Sequence, residues 1–195
     1  MKMTRFEKSF VNRKRKVAGN IERVRQRLQE LNVNNIHEAL EIGCGIGLVS
    51  VFMAENYGMN VFGTDFDPDE IKIAQKMNSE NDNLHFRAED AANLSFEDNS
   101  FDLVVSQNVF HHIPNWEKAV QEIGRVLRPG RYLIWLDIVF PNFLKKVFKP
   151  LVKNYGLYTQ EEIKSAFNEG GFKTLYFQDS LHGPFKHNEF LLQKN

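Results

Sequence analysis

The 195-residue sequence has one cysteine, no long apolar run, no net charge and no internal repeat or low-complexity tract. Each absence removes a class of protein. A single cysteine, Cys44, excludes an intrachain disulfide and a cysteine-rich zinc site. A bilayer span needs ~20 consecutive apolar residues, and no stretch approaches that length. The opening MKMTRFEKSFVNRKRKV has no apolar stretch behind its charges, so no secretory signal is read and the cytoplasm is the expected location. Hydrophobic residues at 42% and charged residues at 26% argue against disorder. At roughly 150 residues per domain, the chain is expected to form one domain over 1–195, with no room for a separate substrate domain.

The balance of 25 Lys/Arg against 25 Asp/Glu argues at first against nucleic acid as a partner, but it conceals segregation. Residues 1–30 hold ten basic and three acidic side chains, residues 55–102 hold three and twelve, and residues 139–153 hold four lysines and no acid. Such asymmetry marks either a binding face or solvated helix surfaces.

Val17, Ile21, Val24, Leu28 and Leu31 recur at helical spacing, which predicts an amphipathic N-terminal helix ending near Asn32–Asn35. A strand at Ala39–Ile42 meets the glycine turn Gly43-Cys44-Gly45-Ile46-Gly47, and Leu48, Val51, Phe52 and Met53 follow as a helix. The unit repeats: strand Asn60–Thr64, then a helix opened by Asp67 as N-cap, Pro68 at the first helical position and Glu70 closing a capping box. Further strands are expected at Leu84–Phe86, Phe101–Val105 and Tyr132–Leu136, with a helix capped by Asn115 and ended by Pro129-Gly130. After a capping box at Thr159–Glu162, the runs Phe172–Phe177 and Glu189–Leu192 suggest an antiparallel hairpin on the sheet edge. The fold class is therefore α/β, a Rossmann-like doubly wound sheet of seven strands, mostly parallel with an antiparallel C-terminal hairpin.

The glycine turn carries the strongest chemical signal. Backbone without side chains at Gly43, Gly45 and Gly47 lets a nucleotide-type ligand approach the turn and the helix amides behind it, although glycines are also used for packing alone. The spacing is GxGxG, not the GxGxxG of dinucleotide folds. Asp65, 18 residues after Gly47, ends the second strand, where a carboxylate can accept both ribose hydroxyls or merely help to cap the next helix. Phe66 offers either a face for an adenine ring or one more core phenylalanine.

In the segments ALEIGCGIG at 39–47, VFGTDFDPDEIKIAQ at 61–75, AEDAANLSFEDNSFDLVVS at 88–106, HHI at 111–113 and RVLRPGRYLI at 125–134, the chain resembles class I S-adenosylmethionine-dependent methyltransferases, in the small type-11 or ubiquinone-biosynthesis-like branch. The resemblance covers residues 36–137 in detail, and the closing hairpin is similar to the last two strands of that fold. It implies S-adenosyl-L-methionine as cofactor, with S-adenosyl-L-homocysteine as product and no metal. Glu41, Gly43 and Gly45 would line the methionine part, with Cys44 between them as filler. Asp65 would bind the ribose and Phe66 pack on the adenine. In the acidic pair Glu89-Asp90, Asp90 would accept from the adenine amino group or serve only as surface, and the Ala91 backbone would meet the ring edge. Ser106 and Gln107 would stand near the sulfonium end. Arg131 departs from the family's frequent second glycine and is expected to alter the turn before the fifth strand.

A sulfonium methyl is already activated, so positioning a nucleophile in line can account for much of the rate. A general base is needed only where the acceptor must lose a proton, and His111 and His112 are the candidates, set against the reading that they only shape their loop. The N-terminal helix, within 1–35, and the insert 138–158 would form lids over a small, apolar or aromatic acceptor. In the insert, Phe140, Phe143, Leu144, Val147, Phe148, Leu151 and Tyr155 form an apolar stripe beside four lysines, which suggests membrane-surface contact or a solvated helix. A cofactor-binding module without catalysis and a nucleic-acid methyltransferase are the alternatives. The latter is disfavoured because Ser106-Gln107-Asn108-Val109 replaces the Asn/Asp-Pro-Pro-Tyr/Phe motif for base amination. A monomer or homodimer is expected.

Overall fold

The computed structural model describes the backbone of residues 14–148, 155–182 and 185–195, and the side chains of these residues except 14–16, 146–148, 182 and 185. Helix α1 (Lys14–Leu28) leads into β1 (Glu38–Ile42), α2 (Leu48–Tyr57), β2 (Asn60–Asp65), α3 (Pro68–Met77), β3 (Leu84–Ala88) and β4 (Phe101–Gln107). Then come α4 (Trp116–Val126), β5 (Leu127–Val139), α5 (Asn142–Phe148), α6 (Gln160–Glu169), β6 (Phe172–His182) and β7 (Phe185–Lys194). The strands form one seven-stranded sheet in the order β3-β2-β1-β4-β5-β7-β6. Only β7 runs against its neighbours, β5 and β6.

Parallel strands joined by crossover helices are covered on both faces, and all seven residues of the central strand β4 are buried. Leu40, Ile42, Val104, Leu133 and Trp135 pack on one face against α4 and α6. Ala39, Val61, Leu103, Val105 and Ile134 pack on the other against α1, α2 and α3. On the first face Trp135 is fully buried, with the rings of Phe110, Phe167 and Phe190 between 5.6 and 5.8 Å from its own. No helix among the described residues is long and apolar enough to cross a membrane.

The expected apolar seam of α1 docks through Val24 and Leu28, both fully buried, which stabilises the helix by roughly 1.5–3 kcal/mol per side chain. The Arg27 guanidinium lies 3.6 Å over the Tyr176 ring and 3.1 Å from the Glu189 carboxylate, and Arg23 reaches the same carboxylate at 3.3 Å. Arg25 pairs with Glu22 at 2.9 Å. The arginines of the described part of α1 thus engage the protein's own acids; the rest of the basic N-terminal segment, residues 1–13, lies outside the described residues.

Two boundaries differ from the sequence expectation. Pro129-Gly130 does not end a helix: α4 stops at Val126 and the pair sits inside β5, where the register with β4 shifts between Phe101 and Leu103. The C-terminal strands run longer than their apolar cores, because pairs such as Asp179 with Asn188 continue the ladder with polar residues. The antiparallel hairpin lies on the sheet edge as expected, with β7 paired to β5 and β6 outermost.

Asp102 ties the lower end of the sheet together. Its carboxylate accepts from the His37 and Glu38 amides at 3.0 and 3.1 Å, and from Arg128 at 2.8 Å, with Arg131 at 3.2 Å. Arg131 is thereby a partner for a buried acid at the foot of β5. Burial alone would raise the Asp102 pKa, but the two amides and Arg128 hold it below the ordinary value. A depressed carboxyl pKa contributes stability above the unfolded-state pKa, and this contribution is lost as pH falls through the folded value. We expect Asp102→Ala to lower unfolding free energy by about 3 kcal/mol in urea titrations at pH 7. The deficit relative to wild type should shrink below roughly pH 4; a deficit independent of pH would contradict this role.

Candidate functional site

The turn after β1 is stitched to the end of β2: the Gly43 and Cys44 amides both donate to the Thr64 carbonyl, at 2.7 and 2.9 Å. Gly43 has φ +73°, and a Cβ there would lie 2.1 Å from Val109 Cγ2. Gly47 has φ +83°, and its Cβ would meet the Phe86 ring at 2.5 Å. Packing therefore requires both outer glycines. The middle one, Gly45, donates its amide to Asp65 Oδ2 at 2.9 Å and stands on the wall of a cavity of about 500 Å3.

Asp65 Oδ1 accepts from the Asp67 amide at 2.9 Å, and Asp67 caps α3 by accepting from the Asp69 amide at 3.0 Å. Asp65 therefore steadies the capping residue and the glycine turn with one carboxylate. Burial raises its pKa, against the opposing effect of the two amide bonds. Glu41, 5% exposed, accepts from the Ser50 hydroxyl at 2.5 Å, and burial pushes its pKa from 4.5 to about 8. Burial, with Glu41 and Asp65 nearby, also pushes the Cys44 thiol well up, so Cys44 presents no thiolate to the cavity.

The remaining walls come from the ends of β2, β3 and β4 and from α1. Phe66 is 55% exposed against the cavity, not in the core. Glu89, Asp90 and Ala91 follow on the same wall. The Glu89 carboxylate bonds the Ser95 hydroxyl and amide, while Asp90 Oδ1 accepts from the Ala92 amide at 2.9 Å. At the other end stand Val17 and Asn20 from α1, then Gln107, Asn108 and Val109 after β4, and His112, Ile113, Pro114 and Asn115. Asn115 occupies the N-cap position of α4, but its side chain makes no capping bond.

Ser106 and His111 lie off the cavity wall. Successive strand residues face opposite ways, so Gln107 faces α1 and Ser106 the other side, where its hydroxyl is buried without a partner. His111 turns to β5: its Nδ1 is 2.5 Å from Asp137 Oδ1, and its amide donates to Oδ2 at 3.3 Å. Burial would raise the pKa of Asp137, but His111 and the amides around it hold it below the usual carboxylate range. The His112 ring lies 4.0 Å from that of His111 and 5.7 Å from that of Tyr155, tilted against both.

Sequence reasoning missed Asn20, Asn108 and Asp137. Asp137 had a signal, a lone acid in the apolar run Tyr132–Val139; Asn20 and Asn108 had none, since their placement depends on α1 crossing the end of β4. In the insert, Tyr158 is buried beside Trp116 and Trp135, while Lys145 pairs with Glu162. The central stripe residues Val147, Phe148 and Leu151, on which the choice between membrane-surface contact and a solvated helix turns, lie outside the described side chains.

The family model described as a methyltransferase domain matches residues 40–135, about half of the chain. The methyltransferase GfsG of Streptomyces halstedii is 32% identical over 69% of this chain and 50% of its own length. The demethylmenaquinone methyltransferase of Staphylococcus saprophyticus is 26% identical over 76% of this chain and 75% of its own. The chain spans half or less of the first curated relatives it matches. A solved structure of geranyl diphosphate C-methyltransferase from Streptomyces coelicolor, in complex with Mg2+, geranyl diphosphate and S-adenosyl-L-homocysteine, shares the fold. Its TM-score is 0.75 at 11% identity, covering 91% of this chain and 77% of that one. The glycine turn, the acidic end of β2 and the post-β4 loop that surround the cavity all fall within the matched 40–135 segment, and the chain belongs to the class I S-adenosylmethionine-dependent methyltransferases.

Proposed function

We propose that the chain binds S-adenosyl-L-methionine in this cavity and transfers its methyl group to a small, apolar or aromatic acceptor, leaving S-adenosyl-L-homocysteine. The observation that carries the reading is the cavity itself. It opens at the C-terminal ends of β1 and β4, where the strand order reverses and open α/β sheets hold their ligands. The relatives' names, with a demethylmenaquinone methyltransferase among them, support a small-molecule acceptor.

The residues present fit the cofactor. Glu41 is a buried carboxyl at the cavity wall with a pKa of about 8, and a cation set beside it would favour its ionised form; the ammonium of the methionine part is suited to that place. Asp65 keeps lone pairs beyond its two amide bonds for ribose hydroxyls. The exposed Phe66 ring offers a face for adenine, with Asp90 and the Ala91 backbone along its edge. When bound, the cofactor supplies a methyl group activated by sulfonium. The protein's part is to hold an acceptor in line against Gln107, Asn108 and Val109 and to exclude water beneath α1. His112 is the titratable side chain at the acceptor end of the described wall and is placed to take a proton from an acceptor that must lose one. His111, anchored by Asp137, keeps the turn bearing His112 in position.

Calorimetry with S-adenosyl-L-homocysteine tests the placement: Asp65→Ala should bind at least ~10-fold more weakly than wild type. Unchanged affinity would put the ribose elsewhere. Glu41 gives a second test with a definite sign. Its folded pKa lies above the unfolded one, so unliganded protein loses stability as pH rises from 4.5 to about 8 and levels off beyond. Glu41→Gln should therefore raise the melting temperature of the unliganded protein at pH 8 by roughly 5 °C. The same variant should bind the homocysteine product about 10-fold more weakly. A variant both less stable at pH 8 and equal in affinity would refute the role.

A further inference from the structure

Once the cofactor is placed along the glycine turn, Asp65, Phe66 and Ala91, one end of the cavity is left for the acceptor. Among the described residues this end is made by Val17, Asn20, Val109, Ile113, Pro114 and the polar groups of Gln107, Asn108, His112 and Asn115, with no Lys, Arg, Asp or Glu. Gln107 is distinctive within it. The residue is 8% exposed, its Nε2 donates to the Asn20 main-chain carbonyl at 3.2 Å, and its Oε1 is buried with no hydrogen-bond partner. The orientation of this carboxamide is not interchangeable. Asn20 O can only accept, so the nitrogen must face α1 and the oxygen is left over.

The loop that follows holds that orientation. Asn108 has φ +59°, a left-handed conformation that asparagine tolerates better than most residues other than glycine. Its amide donates to the Leu136 carbonyl at 2.8 Å and its Nδ2 to Asn20 Oδ1 at 3.4 Å. Two successive carboxamides are thus tied to one residue of α1, through both its backbone and its side chain. A buried acceptor atom left unpaired costs about 1–3 kcal/mol, and a ligand that donates to it recovers that energy.

We propose that Gln107 is the specificity-determining residue for the acceptor: its Oε1 receives a hydrogen bond from a hydroxyl or neutral N–H on an uncharged acceptor, with Asn20 fixing the carboxamide. The proposal rests on the methyltransferase reading above. It names what that reading leaves open, the charge and polar group of the acceptor. An anionic acceptor would meet no Lys or Arg among the described residues of this end, and an acceptor whose hydroxyl is replaced by an ether would bury the oxygen unpaired.

The test uses the full chain saturated with S-adenosyl-L-homocysteine and four two-ring probes: 2-naphthol, 2-naphthylamine, 2-methoxynaphthalene and 2-naphthoate. Saturation-transfer NMR and competition titrations should show 2-naphthol and 2-naphthylamine bound, with the ether and the carboxylate at least ~10-fold weaker. Gln107→Met, similar in shape but with no oxygen, should bind 2-naphthol and 2-methoxynaphthalene alike. Equal binding of naphthol and its ether to wild type, no binding of any probe, or a preference surviving in Gln107→Met would each overturn the proposal. Failure of S-adenosyl-L-homocysteine to bind wild type would instead overturn the cofactor reading beneath it.

Discussion

One carboxylate, Asp65, governs the shape of the cavity. Each of its oxygens takes a main-chain amide at 2.9 Å, from Gly45 on one side and Asp67 on the other. Those two bonds lock the loop after β1 to the loop after β2, and they fix the residue that caps α3. A side chain that satisfies loops on two adjacent strands converts a pair of flexible connections into a rigid wall. It does so near the strand ends, where the backbone has run out of ladder partners. The outer glycines complete the wall by leaving room, Gly43 for Val109 and Gly47 for Phe86.

The same logic operates on the facing wall with a different residue. Asp137, buried in β5, gathers the Nδ1 and amide of His111 and so pins the turn after β4. Both walls are thus set by carboxylates, Asp65 half-buried and Asp137 buried, that accept from the backbone of a neighbouring loop. Their electrostatics differ because their partners differ. Asp137 faces an imidazole and is held in its charged form, whereas burial is the main cause that pushes Glu41 and Asp65 toward protonation. Among the described residues, the cavity wall carries no Lys or Arg.

Much of the architecture was legible in the sequence because it depends on local pattern. The strand–glycine turn–helix unit, the Asp67 cap with Pro68, and the Thr159–Glu162 capping box follow from residue types at fixed offsets, and all three are present. The strand ends were less legible. Pro129-Gly130 carries the signature of a stop, yet the ladder continues past it because Phe101 and Leu127 pair across the register shift. The polar halves of β6 and β7 carry no apolar alternation, and only their mutual pairing reveals them.

Within the site, sequence alone determined which side chains exist near strand ends: the glycine turn, Asp65, Phe66, Asp90 and the histidine pair. It could do so because position in a β–turn–α unit is a local property. Which way those side chains face was decided by the tertiary structure. Ser106 and Gln107 are neighbours in the chain and lie on opposite faces of the sheet. His111 and His112 are neighbours too, and one is bound to Asp137 while the other lines the cavity. Asn20, 87 residues from Gln107, meets it only because α1 packs across the end of β4. Alternation and long-range packing are set by the whole sheet and its covering helices, and no window of sequence contains them.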